Sequence, residues 1–170
     1  FTADGRSGGS PMEAVRERRV DGVLVLAPLL GSPELREIAA MGIPVVSLSS
    51  PTQEPGALWV DIDNAAGTTL AVDHLAGLGH RRIAHVTGPE DQASILERRD
   101  AFLATMARHG LPVPDAYLSA GSVETVRERT AALLWSPEPP TAIVAWNDGV
   151  ASEVVAAADA AGVAVPDRLS

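Results

Sequence analysis

An α/β fold built on parallel sheets is the class this sequence predicts, on three observations. Short apolar runs rich in β-branched residues recur along the chain and are continuous rather than alternating, as in strands covered by helices on both faces. Longer stretches with helical periodicity separate them. A glycine closes four of those stretches just before an apolar run, at Gly42, Gly79, Gly110 and Gly162. The residue after a helix commonly turns left-handed, a conformation glycine adopts without steric cost. Strands alternating with helices give right-handed βαβ crossovers and hence parallel sheets.

Taken in order, helices are expected over 11–19, 33–41, 65–78, 94–109, 123–134 and 150–161. Strands are expected over 23–27, 43–46, 59–62, 82–86, 111–113, 142–145 and 163–166. On the third helix Leu70, Ala71, Leu75 and Leu78 share a face at helical spacing. The stretches 49–56 and 137–140 read as loops, being rich in Ser, Pro and Gly. Residues 5–10 are glycine-rich but lack the Gly-Lys-Ser/Thr ending of a phosphate loop, and read as a surface turn.

Composition narrows the function. The 170 residues are 46% hydrophobic and only 4% aromatic, so the core is aliphatic. With 13 basic and 22 acidic residues the net charge is −9, which repels nucleic acid at long range. Cysteine is absent, excluding disulfides and thiolate metal sites. No apolar run approaches the roughly 20 residues that span a bilayer; a cytoplasmic location is expected because a protein without disulfides fits that compartment. Neither end reads as a natural terminus, so the sequence is expected to be cut at both.

No nucleophile elbow is present, and His74, His80, His85 and His109 fall at no recognised metal spacing. His80 and His109 flank helix-ending glycines, where a histidine can bond terminal carbonyls. Asp61 and Asp63, two apart on an expected strand, would share a face. Binding suits them better than catalysis, since no nucleophile or acid converges on them, and Asn64 is the expected helix cap. No catalytic, metal or cofactor site is expected. In open α/β sheets ligands sit beyond the carboxyl ends of the strands, where Ser47, Ser49, Asp61, Asp63, Asn64, Thr87, Asn147 and Asp148 fall.

Several segments, in order, resemble the LacI/GalR family of transcription regulators. Val20-Asp21-Gly22-Val23-Leu24-Val25 is similar to its VDGIIV strand, and Gly42-Ile43-Pro44-Val45-Val46 to its GIPVV strand. The longest match runs from Val60-Asp61-Ile62-Asp63-Asn64 through Gly79-His80-Arg81-Arg82-Ile83-Ala84 to Gly88-Pro89. Pro140-Thr141-Ala142-Ile143-Val144-Ala145-Trp146-Asn147-Asp148 resembles PTAIFAAND, and 160–167 resembles AGLRVPDD. The resemblance implies a two-lobed, periplasmic-binding-protein-like (type I) fold, its first lobe over 1–62 and its second over 63–170, both incomplete. The family's helix-turn-helix domain is absent from this chain. The implied function is effector sensing. A small sugar-like ligand, acidic ones included, would bind between the lobes and change the affinity of a homodimer for operator DNA through the missing domain. The resemblance also implies effector-binding roles for Arg98, Ser94, Asn147 and Asp63, with Asp148 the capping neighbour of Asn147. Two positions depart from the family: Ser49 stands where an Asp is usual, and Val123 where an aromatic stacks on the ligand. A periplasmic sugar-binding transport protein is the alternative of the same fold. An enzyme on this scaffold would need a nucleophile, metal site or phosphate loop.

Overall fold

Two three-stranded parallel sheets organise the chain in a computed structural model, which describes residues 11–170, with side chains from Met12 onward. The glycine-rich stretch 5–10 lies outside the described residues. The chain divides into two compact units, one ending at Ile62 and taking in 91–94, the other formed by 63–90 and 95–170.

The first unit holds α1 (Pro11–Arg16), β1 (Val23–Leu26), α2 (Pro33–Ala40), β2 (Val45–Leu48) and β3 (Ala57–Val60), with sheet order β1-β2-β3. Ser32 starts α2, its hydroxyl accepting from Leu35 N at 3.3 Å ahead of a proline in the first turn. Val15, Leu35, Ile38, Ile43 and Val45 form the core, with Val23, Val25 and Ala57 against it. This sheet is covered on one face only among the described residues. Leu24, Leu26, Leu58 and Val60 are 62%, 64%, 69% and 61% exposed. The register sets them in two rows, Leu24–Val46–Leu58 and Leu26–Leu48–Val60. The expectation of two covered faces fails here because α1 and α2 both pack on the Val23–Val45–Ala57 side.

The second unit holds α3 (Asn64–Gly77), β4 (Ile83–Val86), α4 (whose span, Ala93–Arg108, begins in the first unit), β5 (Leu118–Ser119), α5 (Val126–Leu134), β6 (Ala142–Ala145) and α6 (Asp148–Ala160). Its sheet order is β5-β4-β6. Here both faces are covered, and all four residues of β4 are buried. Val72, Ile83, Phe102, Met106 and Ala142 pack on one side, and Ala84, Val86, Tyr117, Val126, Leu133, Val150 and Val154 on the other. The four helix-ending glycines have φ of 68°, 96°, 65° and 66°, as their placement requires.

Three readings change. The buried stripe of α3 is Asn64, Thr68, Val72 and Ala76, while Leu70 and Leu78 are 70% and 65% exposed. The apolar residues surround this helix, so packing against β4 and β6, not local pattern, selects the face. Residues 111–113 and 163–166 form no strand. Pro112, Pro114 and Pro166 lack the N–H a ladder needs. The third strand partner is instead the two-residue β5, too short to leave a pattern. Ser170 forms one parallel bridge on the outer edge of β6, donating to Thr141 O at 3.0 Å and accepting from Ile143 N at 2.8 Å.

Candidate ligand site at the carboxyl edge of the second sheet

Strands β4, β5 and β6 deliver Thr87-Gly88, Ala120-Gly121 and Trp146-Asn147 to one edge, where α4, α5 and α6 begin. Arg98, in the second turn of α4, reaches across this edge. Its Nε donates to Asn64 Oδ1 at 2.9 Å, and its Nη1 donates to the carbonyl of Trp146. Asn64 is buried and in turn donates from Nδ2 to Glu97 Oε2 at 2.9 Å. The guanidinium thus ties the start of α3 to the end of β6 through neutral acceptors. It forms no ion pair among the described residues, and three of its five N–H groups are unspent there.

Asn147 joins Arg98 in one groove, which follows the outer edge of β6 and is also lined by Asp148 and Trp146. Its Oδ1 accepts from Val150 N at 2.8 Å and caps α6, leaving its NH₂ as an exposed donor. Capping therefore falls to Asn147 itself; Asp148 is the first residue of the helix, where its negative charge suits the dipole. The same one-residue shift occurs at α3. Asp63 is the cap, accepting from Ala66 N at 2.8 Å, and Asn64 is the first helical residue. Both residue types cap well, and the helix simply begins one position earlier than expected. Asp61 and Asp63 lie beyond β3, not on it, and Asp61 Oδ1 accepts from Ile62 N at 2.7 Å.

Ser94 lies in the first turn of α4, is buried, and belongs to the first unit's residues, as does Ser49. Ser49 is exposed, follows β2 at φ 58°, and donates its N–H to Val60 O at 2.9 Å. Val123 opens a 3-10 turn before α5 and is 45% exposed.

Sequence reasoning passed over two residues at this edge. Arg129 of α5 has all its N–H groups engaged by acceptors at the ends of β4 and β5 and in the turn that leads into α5. They are Ser119 O, Ser119 Oγ at 3.0 Å, Thr87 O at 3.1 Å, Ser122 O at 3.1 Å, Gly121 O at 3.3 Å and Thr125 Oγ1 at 3.1 Å. Burial lowers its pKa below the usual arginine value. Its signal was an arginine bordering the stripe Val126, Thr130, Leu133 on α5. Trp146 is the other. Its indole lies over Gly88, where an added Cβ would sit 2.7 and 2.9 Å from Cζ3 and Cε3. A tryptophan in a chain with so few aromatics was the signal available.

Three of the four histidines, His80, His85 and His109, have partners other than helix-end carbonyls. His80 Nδ1 meets Thr141 Oγ1 at 2.9 Å, and His109 Nε2 meets Asp73 Oδ1 at 2.6 Å. These rings follow their helices by enough to reach a neighbouring element instead. His85 is buried on β4, bonded through Nδ1 to Val144 O at 2.9 Å and stacked on Phe102 with centroids 5.1 Å apart. No group of three or more His, Cys, Asp or Glu that could hold a metal occurs among the described residues.

Residues 72–170 match the model of the periplasmic binding protein-like domain family. The chain is 32% identical over 139 residues to the HTH-type transcriptional regulator RafR of Escherichia coli, covering 82% of this chain and 41% of that protein. It is 31% identical over 163 residues to the ribose operon repressor of Escherichia coli K12, covering 94% and 49%. It therefore spans about half the length, or less, of these curated relatives. A LacI family transcriptional regulator from Lactobacillus casei, solved with bound glucose, superposes with a TM-score of 0.78 at 28% identity, covering 94% of this chain and 61% of that one. Among the described residues no helix is long and apolar enough to cross a membrane.

Proposed function

The chain belongs to the LacI/GalR family as a periplasmic-binding-protein-like effector domain, and from that premise we propose that it senses a small sugar or sugar derivative for a DNA-binding regulator. One observation carries the reading. At the carboxyl edge of the second sheet, Arg98 and Asn147 offer unspent N–H donors beside one groove. Sugar hydroxyls, or a carboxylate gripped bidentately, are the acceptors such donors suit. Asp63, Ser94, Ser49 and Val123 complete the proposed effector set, the last two contributed without the charge and the ring usual there. Because the acceptors held by Arg98 are neutral, its charge favours an acidic sugar over a neutral one. The regulator is a cytoplasmic homodimer, with lobes over 1–62 and 63–170, and ligand binding between them alters operator affinity through a helix-turn-helix domain. The regulators and repressors among the relatives, and the glucose bound by one of them, support this reading over a transport protein.

The test is calorimetric titration of the full chain and its Arg98→Ala variant with D-glucose, D-ribose and D-glucuronate. Arg98→Ala is expected to weaken the best ligand by about 1.5–3 kcal/mol, the scale of a hydrogen bond to a charged group, and Arg98→Lys to restore part of it. Unchanged affinity in a folded variant removes Arg98 from the site. Tighter binding of the neutral sugars than of D-glucuronate refutes the charge argument.

A further inference from the structure

We infer that Trp146, seated on Gly88, is the stacking platform of the ligand site, taking the flat C–H face of a sugar ring. This rests on the reading of the chain as a sugar sensor and names a specificity-determining residue for it.

Two main-chain bonds and one packing contact fix Trp146. Trp146 N donates to Val86 O at 3.0 Å, holding the backbone to the end of β4. Its carbonyl accepts from Arg98, holding it to α4. The ring packs against the cluster that includes Val86 and Val150, yet remains only half-buried. Gly88 makes that position available, since any side chain there would enter the ring. A glycine without a positive φ of its own is required here by its neighbour alone.

Elimination points to the same residue. Where an aromatic face is expected after β5 the chain has Val123. Phe102 and Tyr117 are 0% and 4% exposed and belong to the core. Trp135 is 75% exposed but caps the far end of α5, at the opposite edge of the sheet. Among the described residues of the second unit, Trp146 is the one aromatic with an accessible surface at the edge where Arg98 and Asn147 stand. A tryptophan that lines one groove with an arginine and an asparagine suits a pyranose or furanose ring, which pairs an apolar C–H face with hydroxyls around its rim.

The experiment is ¹⁹F NMR of the 5-fluorotryptophan-labelled full chain during titration with D-glucose, D-ribose and D-glucuronate. Loss of a resonance in Trp146→Phe assigns Trp146. Its signal is expected to shift and saturate with the affinity that calorimetry gives. Trp146→Leu is expected to lower affinity at least tenfold with little change in thermal midpoint. Trp146→Phe, which keeps a ring, should stay within threefold of the parent. Gly88→Ala, which displaces the indole, should weaken binding as Trp146→Leu does, and should add nothing further in the Trp146→Leu background. Calorimetric binding with a silent Trp146 resonance and unchanged affinity in Trp146→Leu overturns the platform alone. Failure of all three sugars to bind the unaltered chain overturns the sugar reading, and the platform with it.

Discussion

Lowering the pH below neutrality should destabilise the second unit through His85. The imidazole is 1% exposed, donates from Nδ1 to Val144 O at 2.9 Å, and leaves Nε2 buried without a partner among the described residues. A proton added at Nε2 would have no acceptor there. Burial holds its pKa below the ordinary 6.5; the Val144 bond opposes this in part, and the nearby Arg98 charge adds the smallest lowering. The unfolded chain binds this proton as pH falls through about 6.5, while the folded chain does not, so stability falls with pH. It is full above the unfolded value, declines at up to about 1.4 kcal/mol per pH unit below it, and levels off once folded His85 titrates. Between pH 7.5 and 5.5 the parent is therefore expected to lose stability that a non-titrating residue at this position would keep. Urea unfolding of the parent and of His85→Gln isolates it. The amide can keep the bond to Val144 O and does not titrate, whereas every other ionisable group is common to both proteins. An equal loss in His85→Gln, or a parent more stable at pH 5.5, would refute the argument.

Further outcomes are expected. Asn147→Ala should lose the α6 cap and about 0.5–2 kcal/mol in urea unfolding. Asn147→Asp should keep the cap yet weaken ligand in calorimetry, because the exposed NH₂ is gone. Arg129→Met should cost about 2–3 kcal/mol, as Thr87 O and Ser119 O lose a charged donor. No stability change in a folded Arg129→Met would mean that water replaces those bonds. At physiological salt the chain alone should not retard a DNA duplex in a gel, given its net charge of −9.

The sequence disclosed most where a residue type has one physical meaning. Helix ends were legible because glycine supplies the left-handed turn, and β6 was found to the residue because Pro139-Pro140 and Asn147 bracket four apolar positions. β5 offered two residues and no pattern. The buried face of α3 was misread because Leu70, Ala71, Val72, Leu75 and Ala76 make the helix apolar nearly all round. At the carboxyl edge of the second sheet, Arg98 was singled out by family resemblance alone, since an arginine on a helix looks alike whether solvated or bound. The Arg129 staple and the Trp146–Gly88 contact join residues remote in sequence, and no local rule reads a distance of closest approach.

The seat of Trp146 on Gly88 also dictates the order in which these two positions can change. Backbone conformation does not demand glycine at 88; the indole does. A lineage that first replaces Trp146 by a smaller residue frees position 88 to drift. One that first gains a side chain at 88 must displace the ring before any compensation arrives, and loses whatever the ring supports. Gly121 has no such escape. There Arg129 Nε stands 3.2 Å from an added Cβ, and φ is 153°, so removing the arginine leaves the backbone constraint in force. The two glycines on one sheet edge thus differ in evolutionary freedom: one is reversible through its neighbour, and the other is held by its own main chain.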